Sequence, residues 1–235
     1  MKILSYNLEK HRAAVELEEV VESSGVQVAC LQEATVDDLP TSIAGLDLVV
    51  ATENNRLGLA IYASRLWEIG ASASERFEKS LHDRIAAPAE ERLLAVELRD
   101  PSSNAELVVA SLHASPLTSL NSRRRRQILS GLASLEALGA ATPLLMTGDF
   151  NYPIFRKHLE QVLQREGYSL TFANDRTYSR GPVRGHFDFV ASRDLSIEGV
   201  FTLPRGASDH RPILVEAQVT DVTPIKLNRT RTRAA

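Results

Sequence analysis

Residues 144–151 read Leu144-Leu145-Met146-Thr147-Gly148-Asp149-Phe150-Asn151. An apolar run closes on a glycine, a carboxylate, an aromatic ring and an amide. The run has the length of a buried strand and is too short for a helix, so residues able to do chemistry stand at the end of a strand. In extended chain, Asp149 and Asn151, at i and i+2, point to the same side. Gly148, just before them, admits a close approach of backbone or ligand.

The same arrangement recurs when the chain is followed outward from this stretch. Runs that read as buried strands lie at 2–6, 26–32, 46–51, 58–63, 92–98, 106–112, 143–148, 186–191 and 211–219. Ile3-Leu4-Ser5-Tyr6 leads to Asn7, Val28-Ala29-Cys30-Leu31-Gln32 to Glu33, and Val108-Val109-Ala110-Ser111-Leu112 to His113. Asp188 sits inside Phe187-Asp188-Phe189-Val190, and Ser208-Asp209-His210 immediately precedes the last run. Strands that end at one rim of a sandwich project their terminal residues into a shared mouth, where binding sites are carried on a rigid scaffold.

Three segments have helical spacing. In 12–23, Ala14, Val15, Leu17, Val20 and Val21 share a stripe; 119–138 carries Leu120, Ile128, Leu129, Leu132, Leu135 and Leu138, with Gly139 at the expected cap. Segment 154–166 offers Ile154, Leu159, Val162 and Leu163, and stops at Gly167. Strands outnumber helices and several neighbours can be joined as hairpins, which favours a mixed-sheet α/β sandwich over a doubly wound parallel sheet. No repeat of 20–50 residues is present, so solenoids and propellers drop out. One domain over 1–220 is expected, followed by an aperiodic basic tail, 221–235, read as frayed.

Composition narrows the function. The chain has 235 residues, 43% of them hydrophobic, with 27 Lys+Arg against 30 Asp+Glu for a formal charge of −3. That balance excludes a protein that coats nucleic acid by bulk charge, though not a local basic groove. A single cysteine, Cys30, cannot make an intramolecular disulfide or a thiolate zinc site. No run approaches the ~18 apolar residues of a membrane span, and the start is too short and polar for a signal peptide. A cytoplasmic location is the expectation.

Each strand-end residue has a structural alternative when taken singly. Asn7 can be a turn former, Glu33 or Asp209 a helix cap, His113 a hydrogen-bonded structural histidine, and Asp149-Phe150-Asn151 a turn. Together they exceed what turns and caps require. Asp188 is the hardest to explain structurally: a carboxylate flanked by Phe187, Phe189 and Val190 costs several kcal/mol to bury unless it meets a partner, and a histidine N–H is the obvious one. The oxygen-donor set Asn7, Glu33, Asp149, Asn151 and Asp209 selects Mg²⁺ or Mn²⁺ over Zn²⁺. Zincin, nucleophile-elbow, P-loop and dinucleotide-binding signatures are missing.

The ordered set Ser5-Tyr6-Asn7, Leu31-Gln32-Glu33, Ser111-Leu112-His113, Gly148-Asp149-Phe150-Asn151, Phe187-Asp188-Phe189 and Ser208-Asp209-His210-Arg211-Pro212 resembles the endonuclease/exonuclease/phosphatase superfamily, the deoxyribonuclease I-like phosphoesterases. The likeness runs from Asn7 to about Val219. It implies a four-layer α/β/β/α sandwich of two mixed sheets flanked by helices. It also implies Glu33 as the principal metal ligand, with Asn7 and Asp209 completing the metal and phosphate shell. Asp149 and Asn151 resemble the pair that orients the attacking water, His210 the histidine braced by Asp188, and His113 a second histidine on the leaving-group side. Departures bear on the substrate. Leu8-Glu9-Lys10-His11-Arg12 and Ala34-Thr35 stand where abasic-site endonucleases of the superfamily carry Gly-Leu-Arg and a Lys, and Gly185-His186 stands before Phe187-Asp188.

The reading is therefore a Mg²⁺- or Mn²⁺-dependent phosphodiester hydrolase with nucleic acid as the favoured substrate. Arg123, Arg126 and Arg184 are the candidate phosphate-binding residues, drawn from the run Arg123-Arg124-Arg125-Arg126 and the cluster Arg176, Arg180 and Arg184. At helical spacing the four consecutive arginines cannot all face one groove, and a solvated helix face is the alternative for them. The competing readings are the same chemistry on a phospholipid head group or small phosphoester, and a non-catalytic binding module on the same scaffold. Nothing in the sequence calls for an obligate protein partner.

Overall fold

A computed structural model describes residues 1–54, 56–77 and 91–219. In chain order the elements are β1 (Lys2–Asn7), α1 (Leu17–Ser24), β2 (Val28–Ala34), β3 (Ser42–Ile43), β4 (Leu46–Ala51), β5 (Gly58–Ser64), β6 (Glu68–Arg76), β7 (Glu91–Arg99) and β8 (Glu106–His113). They continue as α2 (Asn121–Leu138), β9 (Leu144–Asp149), α3 (Arg156–Arg165), β10 (Ser169–Phe172), β11 (Tyr178–Arg180), β12 (Val183–Gly185), β13 (Asp188–Arg193), β14 (Leu195–Thr202) and β15 (Ile213–Val219). The expected tail, 221–235, lies outside the described residues.

Two mixed sheets result. One has the order β14-β15-β1-β2-β5-β4-β3 and the other β10-β13-β9-β8-β7-β6, with β11 and β12 forming a separate hairpin. Each main sheet contains one parallel pair, β1 with β2 and β8 with β9, flanked by antiparallel neighbours. Both sheets bury both faces, which is why their central strands read as unbroken apolar runs. Ile3, Cys30, Ile61, Val96, Val109, Leu145 and Val190 meet between the sheets. On the outer face of the first sheet, Leu4, Tyr6 and Leu31 pack with Leu17 and Val21 of α1. On the outer face of the second, Ala110, Met146 and Phe189 pack with Ile128, Leu132 and Leu135 of α2 and Leu159 and Leu163 of α3. The layers are helix, sheet, sheet, helix.

Several expectations shift. Segment 12–23 is not one helix: Arg12–Glu16 is a 3₁₀ turn, α1 starts only at Leu17, and Val15 is 89% exposed. The left-handed His11 before it sets the chain off-axis, so Ala13 rather than Val15 turns inward. Leu120 and Ile154 stay exposed, ahead of α2 and α3 instead of on their buried faces. Gly139 follows α2 without adopting the left-handed conformation (φ −149°), whereas Gly167 after α3 does adopt it (φ +82°). Strands β6, β10 and β14 carry no apolar run because they are sheet edges; β6 is largely exposed and β14 half-buried.

Candidate active site

Sheet topology alone collects the polar residues. Parallel strands end at the same rim, so β1 brings Asn7 beside the end of β2, and β8 brings His113 opposite Asp149 of β9. Antiparallel neighbours begin where those strands finish. Asp188 opens β13 in register with Asp149, and the Ser208–His210 segment leads into β15 beside the end of β1. Below this mouth, Gln32 donates to Ser111 Oγ (2.9 Å) and Ser111 to the Leu31 carbonyl (3.2 Å), a buried polar bridge between the two sheets.

Asp149 is the hub. Its Oδ2 accepts from Asn7 Nδ2 at 3.2 Å and Asn151 Nδ2 at 3.0 Å, and its Oδ1 from the Asn151 N–H at 2.9 Å. His210 Nε2 stands 3.6 Å from Oδ2 and His113 Nε2 3.8 Å. His210 Nδ1 lies 2.9 Å from Asp188 Oδ2, so the buried carboxylate does meet the histidine partner its surroundings demand. Thr177 Oγ1 holds the start of β13 by accepting the N–H groups of Phe187 and Asp188. The Tyr178 ring packs on His210, centroids 4.8 Å apart.

Glu33 sits at a bulge in the β2–β5 pairing with φ +54°. Its Oε1 lies 3.5 Å from Asn7 Nδ2 and 3.7 Å from His113 Nε2. A left-handed non-glycine residue costs ~1–2 kcal/mol, and here four occur together: Glu33 and the consecutive Glu9, Lys10 and His11, at φ 44°, 58° and 69°. The turn they form aims its donors at Glu33. The Lys10 N–H donates to Glu33 Oε2 and the His11 N–H to the Glu33 carbonyl, both at 2.9 Å. Glu9 Oε2 accepts the Asp209 N–H at 2.9 Å, tying this turn to the loop that carries His210. Ser208 Oγ closes the same joint on the Asn7 carbonyl at 2.7 Å.

Asn7, Glu33, His113, Asp149, Asn151, Asp188 and His210 thus meet in one mouth. Asp209 lies at its edge, within electrostatic reach of Glu33 and Glu9 and 3.7 Å from Arg180. Arg184 lines an adjoining cleft that reaches Asp209. Arg123 and Arg126 line a different depression with Arg76 and Phe77, and Arg124 is buried, its guanidinium donating to the Pro116 carbonyl at 2.7 Å. Sequence reading passed over Glu9, Arg124 and Arg92. Arg92 is buried and donates to the carbonyls of His113 (2.9 Å) and Ala114 (3.3 Å), fixing the end of β8. The only signal available for Arg92 was a charged residue inside an apolar strand.

Electrostatics follow from burial and crowding. Burial pushes the Asp149 carboxyl up to about 7; the His210 charge opposes this and the Asp188 and Glu33 carboxylates reinforce it. Burial disfavours the His210 imidazolium, but Asp188 and Asp149 outweigh it and raise its pKa to about 10. Glu33 is also penalised by burial, yet His113, the Lys10 N–H, His210 and Asn7 hold it below its ordinary value. Asp149, Asp188 and His210 offer ligand atoms all within 4.8 Å of one another. Glu33, Asn7, Asp149 and Asp188 bring oxygen donors to the mouth beside the His210 nitrogen, and a mostly oxygen set of this kind fits a divalent cation of the Mg²⁺ type.

The model of the Endonuclease/Exonuclease/phosphatase family matches residues 4–210. The chain belongs to that family. Members of the family are hydrolytic phosphoesterases, generally dependent on a divalent metal. No curated protein matches the chain. Among solved structures, the Bacteroides thetaiotaomicron mannosyl-6-phosphatase is similar at a TM-score of 0.73 and 14% identity, over 93% of this chain and 99% of that one. The human Nocturnin catalytic domain with bound sulfate gives 0.71 and 17%, over 94% of each. D. rerio TDP2 complexed with a single-strand DNA product gives 0.70 and 15%, over 93% and 98%. Those TM-scores show the shared fold, the four-layer sandwich that the motifs implied.

Proposed function

We propose that this chain is a Mg²⁺- or Mn²⁺-dependent phosphodiester hydrolase that cleaves nucleic acid. The observation that carries the reading is Asp149 standing between two imidazoles, one of them braced at 2.9 Å by Asp188. A carboxyl made more basic by burial is better suited to accept a proton from water, and the amides of Asn7 and Asn151 hold that carboxyl in place. His210, charged through Asp188, presents Nε2 as a donor to a phosphate oxygen, in the base-and-orienter arrangement that also fixes the ring. His113, whose backbone carbonyl is held by Arg92 and whose Nε2 lies 3.8 Å from Asp149 Oδ2, would protonate the departing alkoxide. Glu33, Asn7 and Asp209 would hold the metal, which neutralises phosphate oxygens when bound.

Nucleic acid is favoured by arginines in two depressions, Arg184 in the cleft that adjoins the mouth and Arg123 and Arg126 in a separate one. The similar TDP2 structure carries a DNA product. The competing reading, a small phosphoester, draws on the size of the adjoining cleft, about 540 Å³, which suits a small ligand. Among the described residues no helix is long and apolar enough to cross a membrane. The lone, buried Cys30 suits the reducing setting of the cytoplasm, where we place the activity.

The test is hydrolysis of supercoiled DNA, single-stranded DNA, RNA, an abasic duplex, a phospholipid and bis(p-nitrophenyl) phosphate, each with Mg²⁺, Mn²⁺ or EDTA. Cleavage of a nucleic acid that stops in EDTA is expected. Undiminished turnover in EDTA ends the metal assignment, and turnover confined to the phospholipid ends the substrate assignment.

A further inference from the structure

The cleft beside the mouth has a charge pattern that the hydrolytic chemistry does not use. It encloses about 540 Å³ and is walled by Arg176, Arg184, Arg205 and Arg211 together with the carboxylates of Asp175 and Asp209. It shares a wall with the mouth: the Ser179 N–H donates to the Asp209 carbonyl at 2.9 Å, and Tyr178 packs on the His210 ring. Arg211 is neutralised by Asp175 at 2.9 Å. Among the described residues, Arg176, Arg184 and Arg205 have no carboxylate within ion-pair distance. Arg205 is nonetheless fixed, because its Nη2 donates to the Ser179 carbonyl at 2.9 Å.

We propose that this cleft is a second anion site, which holds a phosphate of the substrate other than the one being cleaved. The proposal rests on the reading that the cleaved phosphate lies against Asp149 and His210. Four arginines against the two carboxylates of Asp175 and Asp209 line one concavity, and this excess of positive charge favours an anion there. A guanidinium fork matches phosphate oxygens in pairs, and several forks around one pocket match the several oxygens of a single phosphate. The chain as a whole is acidic, at −3, so this positive wall is a local arrangement and not an overflow of surface charge. Its distance from the chemistry is short, since Asp209 belongs to the cleft and His210 to the mouth. The substrate class that satisfies both is one with a second phosphate next to the first, either along a nucleotide chain or on a small bisphosphorylated molecule.

The experiment compares the dinucleotide TpT with its 5′- and 3′-phosphorylated forms, and a hexose bisphosphate with its monophosphate. Binding is measured by calorimetry in EDTA and turnover with Mg²⁺. The extra phosphate should tighten binding and lower KM by roughly tenfold or more, as a charge-assisted hydrogen bond does. Which pair shows the gain separates a nucleotide from a small-molecule source. Arg176→Gln and, separately, Arg205→Gln should bring the ratio of phosphorylated to unphosphorylated binding toward one. A ratio cancels losses common to both ligands, including loss of folded protein. A wild-type ratio of one for every pair overturns the proposal, as does a preference that survives both substitutions. Failure of the hydrolytic reading looks different: bis(p-nitrophenyl) phosphate, which has no second phosphate, would not be turned over while the binding preference in EDTA persisted.

Discussion

Replacing Gly148 with alanine would place a Cβ 2.0 Å from the Leu112 carbonyl oxygen and 2.9 Å from the Leu112 nitrogen and carbonyl carbon. All three are backbone atoms of β8, the strand paired in parallel with β9 at this residue, so no side chain can swing away to make room. Gly148 also has φ +138°, outside the left-handed well that an alanine tolerates at moderate cost. A residue held in such a region costs ~1–3 kcal/mol, and overpacking a filled interior costs a further ~1–3 kcal/mol. The expected loss is the sum, about 4 kcal/mol at its centre, out of the ~5–15 kcal/mol that hold a domain together. For a chain of this length that lowers Tm by roughly 8–16 °C.

Gly167 supplies the control. It has φ +82° and nothing within 4 Å of an added Cβ, so Gly167→Ala carries the backbone cost of ~1–2 kcal/mol alone, offset in part by a less flexible unfolded chain. Urea denaturation of both variants, with unchanged m-values, measures the difference. A Gly148→Ala loss within 1 kcal/mol of the Gly167→Ala loss would refute the argument, since it would mean that the two central strands of the second sheet are not locked at this contact. Asp149 and His113 are the residues next along each strand. The folded Gly148→Ala protein should accordingly lose turnover by a larger factor than Gly167→Ala does.

Asp188→Asn keeps the shape of the His210 partner and removes its charge; kcat should fall ~10²–10⁴-fold with an unchanged circular dichroism spectrum, and retention of wild-type kcat would dismiss the His210–Asp188 pair from the chemistry. Glu9→Ala takes the acceptor from the Asp209 N–H, so Mg²⁺ and Mn²⁺ should bind ~10–100-fold more weakly by calorimetry, while Glu9→Gln, which still accepts, should restore most of the affinity; equal losses in the two variants would count against the positioning role. His113→Ala should cost ~10²–10⁴-fold on a natural diester, whose alkoxide needs a proton, and far less on bis(p-nitrophenyl) phosphate, whereas His210→Ala should cost heavily on both. Single-turnover kinetics ensures that chemistry is being compared, and equal His113→Ala losses on the two substrates would move His113 from leaving-group protonation to phosphate binding.

The central strands were readable because each buries both faces, so Leu144–Met146 and Val108–Ala110 appear as continuous apolar runs. Edge strands have no such signature. Glu68–Arg76 pairs along its length with β7 while exposing most of its side chains, and its Gly-Ala-Ser composition resembles a loop. Helix boundaries failed where a local turn overrode periodicity. Ala14, Val15, Leu17, Val20 and Val21 do fit one helical stripe, but the left-handed run Glu9–His11 turns the chain before the helix can start.

The site divides along a similar line. Residues that end or begin central strands could be found because strand identity places them: the parallel pairs β1–β2 and β8–β9 carry Asn7, Glu33, His113 and Asp149 to one rim, whatever the loops do. Residues that act from loops or through the backbone could not be found this way. Nothing about Glu9 in the sequence distinguishes it from a solvated acid, since its importance lies in a carboxylate that reaches the Asp209 N–H 200 positions away. The arginine run was divisible but not fully legible. Helical spacing separates Arg123 and Arg126 from Arg124, and Arg123 and Arg126 do line one depression, but spacing does not say that Arg124 is turned inward to hold the loop after His113 by the Pro116 carbonyl and the Asn121 side chain. Burying a guanidinium is tolerable only with such fixed acceptors, and holding that loop leaves Arg124 unable to reach a substrate without releasing it. Charge reversal of the run as a block would therefore mix a folding defect with any binding defect, and only the single substitutions at Arg123 and Arg126 address contact with phosphate.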